Sequence, residues 1–193
     1  AVLVTHVDTS TSVKNDIAAV RALLDDLGSN ALLAVDCVAS LGCDEFKMDA
    51  WGADVMVAAC QKGLMVPAGM AFVYFNDKAA ERQKKLPYVS SYWEWGQRAN
   101  PEILAHYFCG TAPTHHLYGL RVALDMIQAE GIENIWARHE TLAKAIWAAV
   151  ECWGADGPMR MNIQDSSLRS TAVTALHMGI PHAKNLRNWT QHS

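Results

Sequence analysis

Val55-Met56-Val57-Ala58-Ala59-Cys60-Gln61-Lys62-Gly63 is an apolar run of strand length that ends abruptly in Gln-Lys-Gly, with Leu64-Met65-Val66-Pro67 behind it. With so little polar alternation, such a run fits a strand covered on both faces in a parallel sheet. Similar runs occur on either side: Ala1 to Thr5, Ala31 to Val35 and Met70 to Phe75. Between the first two, Asn15 to Leu27 has helical period, placing Ile17, Val20, Leu23, Leu24 and Leu27 on one face, with Gly28 as the stop. Strands separated by crossovers predict an α/β fold, a mainly parallel sheet flanked by helices.

Downstream the character changes. Leu86 to Cys109 is rich in Tyr, Trp, Pro and Asn without a steady period, and is expected to be a long connection. Two helices follow, Thr114 to Glu130 and Glu133 to Trp153, the second with Trp136, Trp147 and Trp153 on its apolar face. Ser170 to Met178 is expected to begin a strand of a second, smaller α+β domain. The chain starts inside a strand-like run and stops at Asn188 to Ser193, just after a helix start, which predicts a fragment.

The 193 residues are 51% hydrophobic, enough for one sizeable core. A net charge of -4 without a basic stripe argues against nucleic acid or an anionic membrane as the main partner. Cys37, Cys43, Cys60, Cys109 and Cys152 form no CxxC pair and stand with no His at metal-ligand spacing. They predict free thiols in a reducing cytoplasm and no structural metal. The longest apolar stretches are broken by Asp36, Gln61 and Lys62, so no membrane span is expected.

Lys62 follows a buried strand directly. Burial disfavours the charged ammonium and favours the nucleophilic amine that a Schiff base requires. A lysine snorkelling out of a strand end would have the same sequence. Asp36 closes Ala31 to Val35 in the same manner, and ligands of open parallel sheets sit outside the carboxyl ends of the strands. A carboxylate and an amine in one crevice are the pair that pyridoxal phosphate needs, one for its ring nitrogen and one for its aldehyde. Asp36 as a capping or loop acid is the competing reading. The hydroxyl-rich His6-Val7-Asp8-Thr9-Ser10-Thr11-Ser12 suits a phosphate or phenolic oxygen, or equally a capping turn before the first helix.

Taken together, these segments resemble the class V aminotransferases of fold type I, in particular the alanine–glyoxylate and serine–glyoxylate group. The likeness rests on His6 to Ser12, on Val35-Asp36-Cys37-Val38-Ala39-Ser40-Leu41-Gly42, and on Cys60-Gln61-Lys62-Gly63 running to Pro67-Ala68-Gly69. Gly110-Thr111-Ala112-Pro113, Leu117-Tyr118-Gly119-Leu120-Arg121, Glu130 to Asn134 and Ala137-Arg138-His139 continue it over nearly the whole chain.

The resemblance implies pyridoxal 5'-phosphate as cofactor, with Lys62 as the Schiff-base lysine and Asp36 on the pyridinium. It places Val38 beneath the ring, Gln61 on the phosphate and Thr9 close by. Thr111 would reach the phosphate of a neighbouring subunit, which implies a homodimer with shared active sites. Residues 1–130 would be part of the large cofactor-binding domain, and 131–193 a connecting helix and the start of the small one.

The activity implied is transfer of an amino group from serine, alanine or a similar small amino acid to glyoxylate or another small 2-oxo acid. The compartment expected is the cytoplasm, or a peroxisome or mitochondrion in a eukaryote. Ser12 stands where the family has glycine, Asp8 where it has glutamate, Cys60 for serine and Ala68 for proline. Phe108 and Gly110 fall where some members carry a Tyr or His. The family's Gly-rich phosphate loop and ring-stacking aromatic are expected upstream of Ala1, and its substrate-carboxylate Arg downstream of Ser193. A class V lyase such as a cysteine desulfurase is an alternative, but it prefers His at the position of Gln61 and Gln at that of Ala39. A non-catalytic fragment of the fold is another. His115 and His116 are adjacent on a helix and point apart, against a metal pair. Tyr92, Trp93 and Trp95 either line the substrate entrance or fill a loop.

Overall fold

The computed structural model describes residues 1–108 and 110–179, with Asn185, Asn188 and Gln191 beyond them. The thiol expected at Cys109 and most of the terminal helix start lie outside the described residues. A four-stranded sheet runs in the order β1 (Val2–Thr5), β2 (Leu33–Asp36), β3 (Val55–Ala59), β4 (Ala71–Phe75). β1, β2 and β3 are parallel, and β4 returns antiparallel to β3. The mainly parallel sheet expected from the apolar runs is present. Leu33, Val35, Val55, Met56 and Ala58 are buried, as central strands require.

Helix α1 (Ile17–Asp26) makes the crossover from β1 to β2. Its apolar stripe is narrower than expected: Ile17 is buried and Val20 and Leu24 pack on the core, whereas Leu23 and Leu27 are exposed. Asp16 caps it by accepting from Ala19 N–H at 2.9 Å. The hydroxyls of the preceding turn are therefore not needed as a cap, which corrects that reading of them.

Asp54 locks the opposite edge of β2 and β3. It is buried and accepts from Leu33 N–H at 2.8 Å, Asn76 Nδ2 at 2.9 Å and Lys78 Nζ at 3.2 Å. Burial pushes this carboxyl upward, but the Asn76, Leu33 and Lys78 hydrogen bonds together with the Lys78 charge outweigh it and hold it below its ordinary value.

Asn76 also caps α2 (Asp77–Gln83), a helix too short for the sequence period to disclose. The long connection contains α3 (Gly96–Ala99) and a 3₁₀ turn at Leu104–Tyr107. Trp95 stacks on Phe75 of β4 at 5.5 Å, so it fills the loop, while Trp93 is exposed against Tyr92. A cavity of about 500 Å³ between α2 and α3 includes neither Lys62 nor Asp36.

Helices α4 (Thr114–Glu130) and α5 (Ile132–Gly154) pivot on Gly131, whose φ of +85° admits the reversal. Trp147 is buried with Ala143, Val150 and Met161, and Trp136 is half-buried. Trp153 is exposed, contrary to the expected apolar face. The strand expected from Ser170 shrinks to β6 (Leu176–His177), paired antiparallel with β5 (Arg160–Met161). Residues 170–172 are instead drawn onto a buried carboxylate, Asp44. None of the described helices is long and apolar enough to cross a membrane.

Candidate active site

Three loops leave the sheet at one edge, the carboxyl ends of β1, β2 and β3. Parallel pairing with Thr5 opposite Asp36, and Asp36 opposite Val57, fixes their order. The chain reverses after Asp36 because Ser40 and Leu41 N–H both return to the Cys37 carbonyl. Asp36 Oδ1 accepts from Val38 N–H at 2.8 Å, the local bond of a loop acid. Its other oxygen has no partner among the described residues, and the side chain is exposed. One carboxylate oxygen is thus held in place while the second faces outward.

The loop carrying Lys62 is closed at its base by Cys60 N–H to the Met70 carbonyl and by Val66 N–H to the Cys60 carbonyl. The Cys60 thiol donates to the Pro67 carbonyl at 3.0 Å, and His116 of α4 holds the Ala68 carbonyl at 3.0 Å. His116 therefore braces a loop rather than pairing with His115. Lys62 itself is exposed, which corrects the burial expected from the strand before it. Neither Lys62 nor Asp36 has a charged partner within 4 Å among the described residues.

The two loops touch through glycine. A side chain at Gly63 would overlap the Leu41 carbonyl, and a Cβ at Gly42, where φ is +84°, would lie 3.0 Å from the Gly63 carbonyl oxygen. Asp36 and Lys62 are thereby presented from adjacent strands by loops in direct backbone contact, without an ion pair between them.

Val7 to Lys14 forms a tight hairpin. Asp8 accepts from Ser10 N–H at 2.8 Å and Ser10 Oγ at 2.7 Å, and these bonds hold its carboxyl below the usual range. Thr9 is left exposed at the tip. Ser12, at φ +65°, is fully buried and its hydroxyl has no partner among the described residues. Sequence reading marked Ser12 only as a departure; a polar residue at a glycine position was the signal.

Beneath the site, His6 Nδ1 meets Ser40 Oγ at 2.9 Å, and the ring packs with Phe46 and Trp51 in a cluster of three mutually touching rings. His6 N–H donates to the Asp36 carbonyl, so it ties the first two loops together. Burial holds its imidazole below the ordinary value, with the Asp44 charge opposing and Lys14 adding. Val38 is half-buried and Gln61 exposed beside Lys62; Thr111 is exposed three residues before α4.

The residues present fit pyridoxal phosphate: a carboxylate oxygen and an amine without charged partners among the described residues, a neighbouring amide, and a hydroxyl turn not needed for capping. An acid and an amine at the carboxyl ends of adjacent parallel strands are features of the fold type I class. The chain belongs to the class V aminotransferases, whose sequence profile matches residues 1–183. It is 41% identical over 182 residues to serine–glyoxylate aminotransferase of Arabidopsis thaliana, covering 94% of this chain and 44% of that protein. It is 42% identical over 177 residues to L-aspartate–glyoxylate aminotransferase of Paracoccus denitrificans, covering 92% and 43%. Its fold superposes on the crystal structure of alanine–glyoxylate aminotransferase from Nostoc sp. with a TM-score of 0.83 and 26% identity, over 98% of this chain and 50% of that one. The chain spans about half the length of these relatives or less.

Proposed function

We propose that the protein carrying this chain uses pyridoxal 5'-phosphate to transfer an amino group from a small amino acid to glyoxylate or a similar 2-oxo acid. The observation that carries this reading is the Gly42–Gly63 contact, which brings the Asp36 and Lys62 loops together at one sheet edge. When bound, the cofactor supplies an aldehyde for the amine and a ring that accepts the electron pair released at the substrate Cα. Lys62 would hold that aldehyde, and its amine, when free, would take the proton from the substrate Cα and return it to the cofactor's aldehyde carbon. Asp36, one of whose oxygens has no partner among the described residues, would keep a proton on the ring nitrogen. Val38 would pack beneath the ring, Gln61 would help hold the phosphate, and Thr9 would lie close to the cofactor.

Thr111 serves a neighbouring subunit in this reading. Its exposure ahead of α4 supports that, as does the exposed row Tyr118, Val122 and Met126 at successive turns of the helix. Residues 1–130 are assigned to the cofactor-binding domain and 131–193 to the connecting helix and the start of a smaller one. Cytoplasmic residence is part of the same proposal, supported by the free state of Cys37, Cys43, Cys60 and Cys152. The test is a screen of amino donors and oxo acids, with the visible absorbance of lysine-bound cofactor followed alongside. Lys62→Ala is expected to lose that band and all transfer. A band that survives in Lys62→Ala refutes the assignment.

A further inference from the structure

A buried carboxylate outside the proposed catalytic pair, Asp44, gathers a segment from the far end of the chain. It accepts from Ser170 Oγ at 2.6 Å, from Thr171 N–H at 3.0 Å and Oγ1 at 2.9 Å, and from Ala172 N–H at 3.3 Å; Lys14 Nζ lies 3.7 Å away. Asp44 ends the turn that begins at Asp36, because its own N–H and that of Cys43 return to the Ser40 carbonyl.

The same segment is sewn to the hydroxyl hairpin. Lys14 N–H donates to the Leu168 carbonyl, Ser170 N–H to the Ser12 carbonyl, and Asn162 Nδ2 to the Thr11 carbonyl at 2.8 Å. Arg169, buried between them, is fixed by Glu151 at 2.8 Å and by the Ile163 and Gln164 carbonyls, with its guanidinium over the Trp147 ring. One short stretch therefore holds both the hairpin bearing Thr9 and the turn bearing Asp36.

We propose that Asp44 is a positioning residue that couples the 168–172 segment to the cofactor site, so that occupancy of the site and ordering of the segment strengthen each other. This rests on the cofactor reading above. A ligand touching the Thr9 hairpin and Asp36 restrains the two loops that the segment bridges. By linkage, whatever the segment adds to cofactor affinity the cofactor returns as stability of the segment. A brace serving stability alone would show no such reciprocity.

The experiment is amide hydrogen exchange on the full-length protein with and without pyridoxal phosphate, alongside the visible band. In wild type the band forms, and exchange at Lys14, Ser170, Thr171 and Ala172 slows by about fivefold or more, the low end of ordinary coupling. In Ser170→Ala, which leaves the carboxylate its backbone donors, and in Asp44→Asn, that slowing shrinks to less than about half while β2 and β3 amides stay protected. Cofactor affinity falls by a matching factor. If the band forms but these amides exchange equally with and without cofactor, coupling is overturned while the cofactor reading stands. Variants that lose thermal stability yet keep the full slowing overturn it as well. Absence of the band in wild type removes the cofactor reading and this proposal together.

Discussion

Replacing Ser12 by glycine is expected to stabilise the protein, although it removes a buried side chain. At φ +65° an L-residue bears a steric penalty of about 1–2 kcal/mol that glycine does not. The Ser12 hydroxyl is buried without a partner among the described residues, which costs a further 1–3 kcal/mol or so. Against these stand the greater freedom of glycine in the unfolded chain, about 0.5–1 kcal/mol, and one lost buried methylene, about 0.8 kcal/mol. The balance favours Ser12→Gly by about 2 kcal/mol, and for a chain of this length that raises Tm by about 4–8 °C. Urea titration should move the midpoint without altering the slope. Ser12→Ala separates the two contributions, since it keeps the strain and removes the hydroxyl; it should gain about as much, because the strain that glycine relieves is offset by its freedom in the unfolded chain and by the lost methylene. A midpoint unchanged or lowered in Ser12→Gly refutes the reasoning as a whole, and one well below that of Ser12→Ala refutes the strain part of it. Destabilisation by Ser12→Ala would mean that the hydroxyl has a partner after all.

The glycine contact gives the opposite expectation: Gly63→Ala forces a Cβ onto the Leu41 carbonyl, so it should cost about 2 kcal/mol or more and weaken cofactor binding together with stability. Urea unfolding and cofactor titration read both, and a neutral variant would disprove the close approach. Burial holds His6 and His139 below the ordinary 6.5, Arg138 adding to the effect at His139. The unfolded chain therefore takes up protons near pH 6.5 that the folded one refuses. Stability from these groups is complete above that pH and declines as pH falls through it, so urea midpoints at pH 7.5, 6.5 and 5.5 should decrease in that order; a flat series contradicts the burial of His6. Burial pushes the Cys37 thiol up to about 12, with the Asp36 charge also raising it against a hydrogen bond with Ser40. Under native conditions iodoacetamide should label exposed Cys152 and spare Cys37, as read by peptide mapping; labelling of Cys37 in the folded protein would contradict it.

The helix α4 was legible almost to the residue because a long apolar period outweighs its ends, and α5 nearly so. Helix α2 was not, since seven residues hold too few turns for a period and its stability comes from Asn76 and Asp54. The direction of β4 was equally hidden, because its apolar run reads the same whether it pairs parallel or antiparallel with β3. The strand expected from Ser170 failed for another reason: its hydroxyls and amides found Asp44, some 126 positions away, a partner no local pattern announces. Burial of Lys62 was inferred from the strand before it, yet the loop turns that side chain outward.

From sequence alone came the residue types and the strand ends: an acid after β2, an amine after β3, a hydroxyl turn after β1, each marked by an apolar run broken by a polar residue. Only the tertiary structure decided that the acid and amine loops touch through Gly42 and Gly63, and that Asp44 binds the distant 168–172 segment. Apolar periodicity is a local property, summed over neighbours along the chain. Contacts between backbones, and hydrogen bonds to a buried carboxylate, depend on which loops the sheet register brings together, and register is settled only when the whole core packs.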